Sequence, residues 1–199
     1  MGGNLDFNYR TTLINDRVSF SLNQLFFYTY LDKPLQLTNT SNGDLTFVNA
    51  NGHLDTKGFE TNAKIGYQDF KLFLGYTFTD TKEHFNNKLS EFRLTPKHRV
   101  NSILFYEVED EWKIGLEAYY YSKQKLSDGA TGKAYWLTGF MIEKLWERFS
   151  IYANFENYTD TRQTRFDTIY TGTITNPTFR DIYAPVDGFV FNGGIKLRL

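Results

Sequence analysis

The sequence predicts an all-β fold, an antiparallel transmembrane β-barrel, and three observations carry that expectation. Hydropathy alternates with a period of two in segments of about ten residues, the length of a tilted membrane strand. Aromatic side chains are abundant (19 Phe, 14 Tyr and 3 Trp in 199 residues), yet the mean hydropathy is −0.47. The connections between segments alternate between short and long. A soluble domain hides its apolar residues in a core and rarely combines aromatic richness with polarity. A barrel combines them readily, because one side of each strand meets lipid and the other a wet lumen.

The elements follow in order. Leu5, Phe7 and Tyr9 alternate with Asp6, Asn8 and Arg10. Less regular strands read near residues 17–37 and 55–67. Phe70, Leu72, Leu74, Tyr76 and Phe78 then alternate with Lys71, Phe73, Gly75, Thr77 and Thr79. A strand near 97–109 precedes Trp112, Ile114, Leu116, Ala118 and Tyr120, which alternate with Lys113, Gly115, Glu117, Tyr119 and Tyr121. Another lies near 134–146, before Phe149, Ile151, Ala153 and Phe155 with their polar alternates. The last segment is the most regular. Phe189, Phe191, Gly193, Ile195, Leu197 and Leu199 share one face, opposite Val190, Asn192, Gly194, Lys196 and Arg198. That makes nine strands.

Four connections are tight, at Ile14-Asn15-Asp16, Gln68-Asp69, Asp110-Glu111 and Glu147-Arg148. The four between them are long and polar, near 38–54, 80–96, 122–133 and 158–187. Such sorting matches barrels with short periplasmic turns and long extracellular loops. Aromatics gather at strand ends, as interfacial girdles require: Phe70, Trp112 and Phe149 by the tight turns, Tyr76, Phe78 and Tyr120 towards the loops. Nine strands with a periplasmic C-terminus place residue 1 outside the cell. Bilayer lipid does not tolerate the two free edges, which predicts missing upstream strands. The N-terminus Met1-Gly2-Gly3-Asn4 has neither the basic nor the apolar region of an export signal, again predicting a fragment.

Other classes are excluded by composition. With 22 basic and 23 acidic residues the chain carries no footprint for nucleic acid. Without cysteine it has no disulfide, thiol nucleophile or Cys-ligated zinc. No apolar run approaches the roughly 18 residues of a membrane helix. No nucleophile elbow or phosphate-cradling loop is present, and the acidic run Glu107, Glu109, Asp110, Glu111 reads as a solvated turn, so no catalytic residue and no cofactor is expected. His53, His84 and His98 lack metal-ligand spacing, and no metal site is expected.

Several segments in order resemble the C-terminal barrel of TonB-dependent receptors of Bacteroidota-type outer membranes. They are Thr56-Lys57-Gly58-Phe59-Glu60, Gly75-Tyr76-Thr77-Phe78-Thr79-Asp80, Leu94-Thr95-Pro96-Lys97-His98-Arg99, and Asn154-Phe155-Glu156-Asn157-Tyr158-Thr159-Asp160. Ala184-Pro185-Val186-Asp187-Gly188-Phe189 with the closing Gly193-to-Leu199 run completes the set. The chain departs from the family in ending on Leu199 where an aromatic residue is usual. The resemblance implies about nine C-terminal strands of a larger barrel of about 22 strands, with plug and N-terminal strands absent. It implies transport of a scarce nutrient, such as a ferric siderophore, a cobalamin-like molecule or an oligosaccharide. The implied partners are outer-membrane lipid, the TonB complex acting through the plug, and the ligand.

The 158–187 loop supplies the ligand candidates Arg162, Arg165, Phe166, Tyr170, Phe179, Arg180 and Tyr183, since arginines and aromatics capture anionic or aromatic ligands by bidentate contact and stacking. The same residues equally suit a loop that packs on its neighbours. Phe189, Phe191, Ile195, Leu197 and Leu199 are assigned to the barrel-closing strand. Lumen charges Arg10, Lys64, Lys71, Glu107, Lys113, Glu117, Glu156, Lys196 and Arg198 are expected to pair with one another more than to touch ligand. Two alternatives stay open: a small standalone barrel (an adhesin or enzyme) with a tenth strand near Thr168–Ile174, and a soluble β-sandwich or lipocalin-like binding module.

Overall fold

The structure, a computed structural model, describes residues 1–39 and 42–198. In chain order the elements are β1 (Gly2–Leu13), β2 (Val18–Asp32), β3 (Leu35–Asn39), β4 (Leu45–Asn49), β5 (Gly52–Tyr67), β6 (Phe70–Phe85), β7 (Lys88–Glu91), β8 (His98–Val108) and β9 (Trp112–Tyr121). There follow β10 (Gln124–Lys125), β11 (Thr131–Gly132), β12 (Tyr135–Leu145), β13 (Phe149–Glu156), α1 (Gln163–Phe166), β14 (Tyr170–Thr173), β15 (Asn176–Phe179) and β16 (Val190–Leu197). Nine of these form one antiparallel wall in the order β1-β2-β5-β6-β8-β9-β12-β13-β16, with β7 added to the end of β6. All nine predicted strands are wall strands. The wall is an open sheet, with β1 at one edge and β16 at the other.

The pairing registers show how period two builds two unlike surfaces. Leu72 stands opposite Leu104, which faces Leu116, then Phe140, Phe155 and Phe191 across six strands. One step along, Phe73, Ile103, Glu117, Gly139, Glu156 and Val190 form the matching row on the other face. A one-residue slip would exchange the two faces entirely, so the apolar row fixes the register. The apolar face is covered by nothing: Leu74, Leu104, Leu116, Ile151, Phe191 and Ile195 are all exposed. The only cluster of buried apolar residues among those described is Leu126, Tyr183 and Ala184, and it lies in the loops. A β-sandwich would bury this face against a second sheet; here none covers it.

The tight turns close by left-handed backbone at short polar sequences. Ile14, Asn15 and Asp16 all have φ between 51° and 64°, and the Arg17 N–H returns to the Ile14 carbonyl at 3.2 Å. Gln68 and Asp110 take the same conformation at two further turns.

At the other end the strands outrun the sequence reading. β5 begins at Gly52 and β6 continues to Phe85, inside the segments expected as loops at 38–54 and 80–96. The reason is that a ladder needs only backbone pairing, and His53-Leu54-Asp55-Thr56-Lys57 pairs fully with Lys82 to His84 and the residues before them. β2 conversely stops at Asp32, short of the expected 37, because Lys33 turns left-handed (φ 45°) and Pro34 has no N–H to donate. The β-prone stretch 168–174 does form strand, but as the β14–β15 hairpin apart from the wall, so the count stays at nine.

Candidate functional site

The polar face of the wall and the longest loop together make the candidate site. On the polar face, opposite charges pair near the tight turns. Lys71 and Lys113 hold Glu107 at 2.8 and 3.3 Å. Glu143 accepts from the Ser150 hydroxyl at 2.6 Å and from Lys196 at 3.1 Å. Higher up, amides pair with carboxylates and with one another. Asn23 donates to Asp6 (2.7 Å) and to Asn8 (3.0 Å), Asn62 donates to Glu60 (2.7 Å), and Gly75 lies between Asn62 and Asn101, where a β-carbon would crowd both. Lys64 lies over the Phe73 ring at 5.1 Å. This surface offers donors and acceptors to a soluble partner rather than an apolar one.

The 158–189 segment is a folded unit. Gln163 is fully buried; its amide donates to the Asp181 carbonyl (2.9 Å) and accepts from the N–H groups of Tyr183 (2.8 Å) and Ala184 (3.1 Å). Tyr183 packs against Leu126, Tyr135 and Phe166. Its hydroxyl donates to Asp167 at 2.5 Å and accepts from the Lys133 N–H at 2.7 Å, while the Tyr135 hydroxyl donates to its carbonyl at 2.8 Å. Burial, together with the Asp167 carboxylate, pushes the Tyr183 hydroxyl up to about 12. Burial pushes Asp167 up, but the Tyr183 hydroxyl, the Thr168 N–H and the Arg180 charge outweigh it and hold the carboxyl below its ordinary range. Where the unit meets β9, β12 and β13 it roofs a cavity of about 510 Å³, lined by Glu117, Tyr119, Asn154, Glu156, Asp187 and Val190.

The structure divides the seven loop candidates into two groups. Arg180 is only 16% exposed and bound by Asp128 (2.8 Å) and Asp167 (3.2 Å). Tyr183 and Phe166 are packed in the unit, and Arg162 is held by Asp160 at 2.6 Å. Arg165 also contacts Asp160 but remains 59% exposed. Tyr170 and Phe179 are exposed at the start of β14 and the end of β15. Of the closing-strand residues, Phe189, Phe191, Ile195 and Leu197 all lie exposed on the apolar face of the β16 edge, with Phe189 and Phe191 against Phe155. Leu199 lies outside the described residues.

One grouping escaped the sequence reading. His53 and His84 stand directly opposite each other on β5 and β6, and Asp55 joins them, their ligating atoms all within 4.8 Å. His98 is elsewhere, bonded to the Tyr76 hydroxyl at 2.8 Å. Spacing within one segment could not reveal this cluster, but the pairing of β5 with β6 across the Gln68-Asp69 turn could, because the register follows from the turn.

A family model described as TonB-dependent receptor-like β-barrel matches residues 4–158. No curated protein sequence matches the chain. Among solved structures, the copper transporter OprC superposes with a TM-score of 0.67 at 13% identity, over 98% of this chain and 31% of its own. The FrpB iron transporter from Neisseria meningitidis gives 0.64 at 14% identity, over 98% and 30%. The pyoverdine outer-membrane receptor FpvA from Pseudomonas aeruginosa gives 0.59 at 15% identity, over 100% and 30%. At these identities the likeness is one of fold, and the chain spans about a third or less of each of these structures.

Proposed function

Because the chain belongs to the family of TonB-dependent receptor-like β-barrels, we propose that it forms the C-terminal wall of an outer-membrane receptor that imports a scarce nutrient. In this reading the apolar face meets outer-membrane lipid, the polar face lines the lumen, and a plug contributed from outside this chain couples to the TonB complex. The observation that carries the reading is the wall itself: nine strands, one face apolar along a band from the tight turns up to the polar outer ends of β2, β5 and β6, the other face hydrogen-bonding, with a folded loop unit over the polar face. No chemical transformation is assigned to it; transport of this kind is binding followed by release through a change in relative affinity between conformations.

For the ligand we favour a metal chelate, a ferric siderophore before a cobalamin-like molecule or an oligosaccharide. The similar structures are a receptor bound to pyoverdine, a copper transporter and an iron transporter. Arg165, Tyr170 and Phe179 offer a cation and two aromatic faces at the loop surface. Arg162, Phe166, Arg180 and Tyr183 support the same unit from within.

Uptake of labelled ferric siderophores, cobalamin and oligosaccharides by cells with and without the receptor tests this directly. Import of one class should depend on the receptor and on TonB, and its half-saturation concentration should rise about tenfold for Arg165→Ala combined with Phe179→Ala. Equal uptake of every class with and without the protein would end the transport reading, and recovery of the protein outside the outer-membrane fraction would end the localisation.

A further inference from the structure

We propose that His53, Asp55 and His84 form a binding site for a divalent transition metal, of the class that zinc represents, which clamps the outer ends of β5 and β6 together. The site does not depend on which ligand is carried, but its placement in water rests on the membrane reading proposed above; it lies on the face of the wall opposite the polar one.

The residues come together through backbone pairing alone. His53 is opposite His84, and Asp55 is two positions along the same face of β5. The His84 Nε2 meets the Asp55 Oδ1 at 2.6 Å, and the two imidazole rings stack with centroids 4.3 Å apart and planes 14° from parallel. Tyr30 stacks on the His53 ring at 4.7 Å. Three donor atoms within 4.8 Å already lie close to the span of one coordination sphere, and turning the two rings about their side-chain torsions converges their lone pairs without moving the ladder.

The donor set fixes the class of ion. Two imidazole nitrogens and one carboxylate oxygen suit zinc and its borderline neighbours, whereas magnesium and calcium favour oxygen alone. Three protein ligands leave a fourth position for water or an outside donor. The local charges leave the carboxylate free for this role. Lys82, opposite Asp55 in register, turns its amine to Asp80 at 3.4 Å. Asp32, opposite His53, adds a second carboxylate on the same face.

Position makes the site reachable. From Tyr67 at the tight turn to His53 the strand climbs about 45 Å along its own axis, while a membrane strand needs only about 9–11 residues. The cluster therefore stands above the apolar band, in water. Gly52, just before it, has φ 139°, and a β-carbon there would overlap the His84 carbonyl oxygen, so the backbones close tightly at this point.

The experiment is a zinc titration by calorimetry on the protein purified from membranes in its longest natural form, with magnesium as the control ion. One zinc per chain is expected, no magnesium, and a loss of affinity of more than about tenfold in His84→Gln and in His53→Gln, with Lys82→Gln near wild type. Heat-modifiable gel migration verifies that each variant is folded. A second measurement needs no variant: zinc should protect His53 and His84 of the wild-type protein from diethylpyrocarbonate while leaving His98 reactive, as mapped by mass spectrometry. Absence of zinc binding, unchanged affinity in folded histidine variants, or equal labelling of His53 and His84 with and without zinc would each overturn the proposal. The trio would then be an imidazole–carboxylate contact holding two strand ends and nothing more.

Discussion

Gln163 concentrates the stability of the loop unit in one side chain. It is completely buried and satisfies three backbone groups, the Asp181 carbonyl and the N–H donors of Tyr183 and Ala184. A buried polar group left without its partner costs about 1–3 kcal/mol. Gln163→Leu keeps the volume and removes all three bonds, so the unit should open at least about tenfold more often. Limited proteolysis within 158–189 reads this out, with the strands of the wall still protected. The same unit carries two titrations of opposite sign. The Asp167 carboxyl is held below its ordinary value of 3.8, so its contribution is present above that value and is lost as acid carries the pH down through the lowered one. The Tyr183 hydroxyl is raised from 10.0 to about 12, so its contribution is complete below pH 10.0 and is lost as the pH climbs towards 12. Hydrogen exchange of the loop amides should therefore accelerate at both extremes, and Tyr183→Phe should abolish the alkaline limb alone. An alkaline limb that persists in this variant would assign it to another group.

At the scale of elements, strand ends are more exacting than strand middles. Gly52 opens β5 with a backbone that only glycine adopts easily and with no room for a β-carbon. Gly52→Val should cost about 1–3 kcal/mol from strain alone, seen as a lower melting temperature and separation of β5 from β6 at their outer ends. The β14–β15 hairpin is the converse. Both of its strands are exposed throughout, and Phe179 is 74% exposed. Replacing 170–179 by a short glycine linker should leave the melting of the wall within about 0.5 kcal/mol, while ligand half-saturation changes if the proposed site uses Tyr170 and Phe179. The same contrast explains what was legible in the sequence. All nine wall strands were, because alternation such as Phe70 to Thr79 leaves one workable register, and the tight turns were, because Asn15, Asp16 and Asp110 tolerate left-handed backbone. The outermost parts, Gly52 to Leu54 of β5 and Asp80 to Phe85 of β6, were not, since Asp80-Thr81-Lys82-Glu83-His84 is polar on both faces and only pairing makes it strand. The candidate site was half legible. Composition singled out Arg180 and Tyr183, but not that Asp128, Asp167 and Gln163, distant in sequence, would take them for the fold.

For the whole molecule, the decisive fact is an apolar face with nothing over it and two edge strands. β1 and β16 each present one row of unpaired backbone groups, and Leu5, Phe7 and Tyr9 beside Phe191 and Ile195 are exposed along them. Such edges recruit further strands. The isolated 199-residue chain should therefore associate into polydisperse oligomers in water and be kept apart only by detergent, as light scattering would record. A monodisperse monomer in detergent-free buffer would contradict the orientation of the apolar face towards lipid.

The wall strands also differ in length around the sheet. β2, β5 and β6 have 15 or 16 residues, whereas β13 and β16 have 8. At about 3.3 Å per residue and a tilt near 40°, the first group stands roughly 40 Å tall and the second roughly 20 Å. The outer rim of this wall is cut on a slant, high at β2, β5 and β6 and low at β13 and β16. At the low end the loop unit pinned by Gln163 stands over the polar face, so in the proposed receptor that unit, rather than a strand rim, borders the path of a ligand. Lengthening β13 and β16 by two residues each would therefore raise the rim at the one flank where the fold leaves it low.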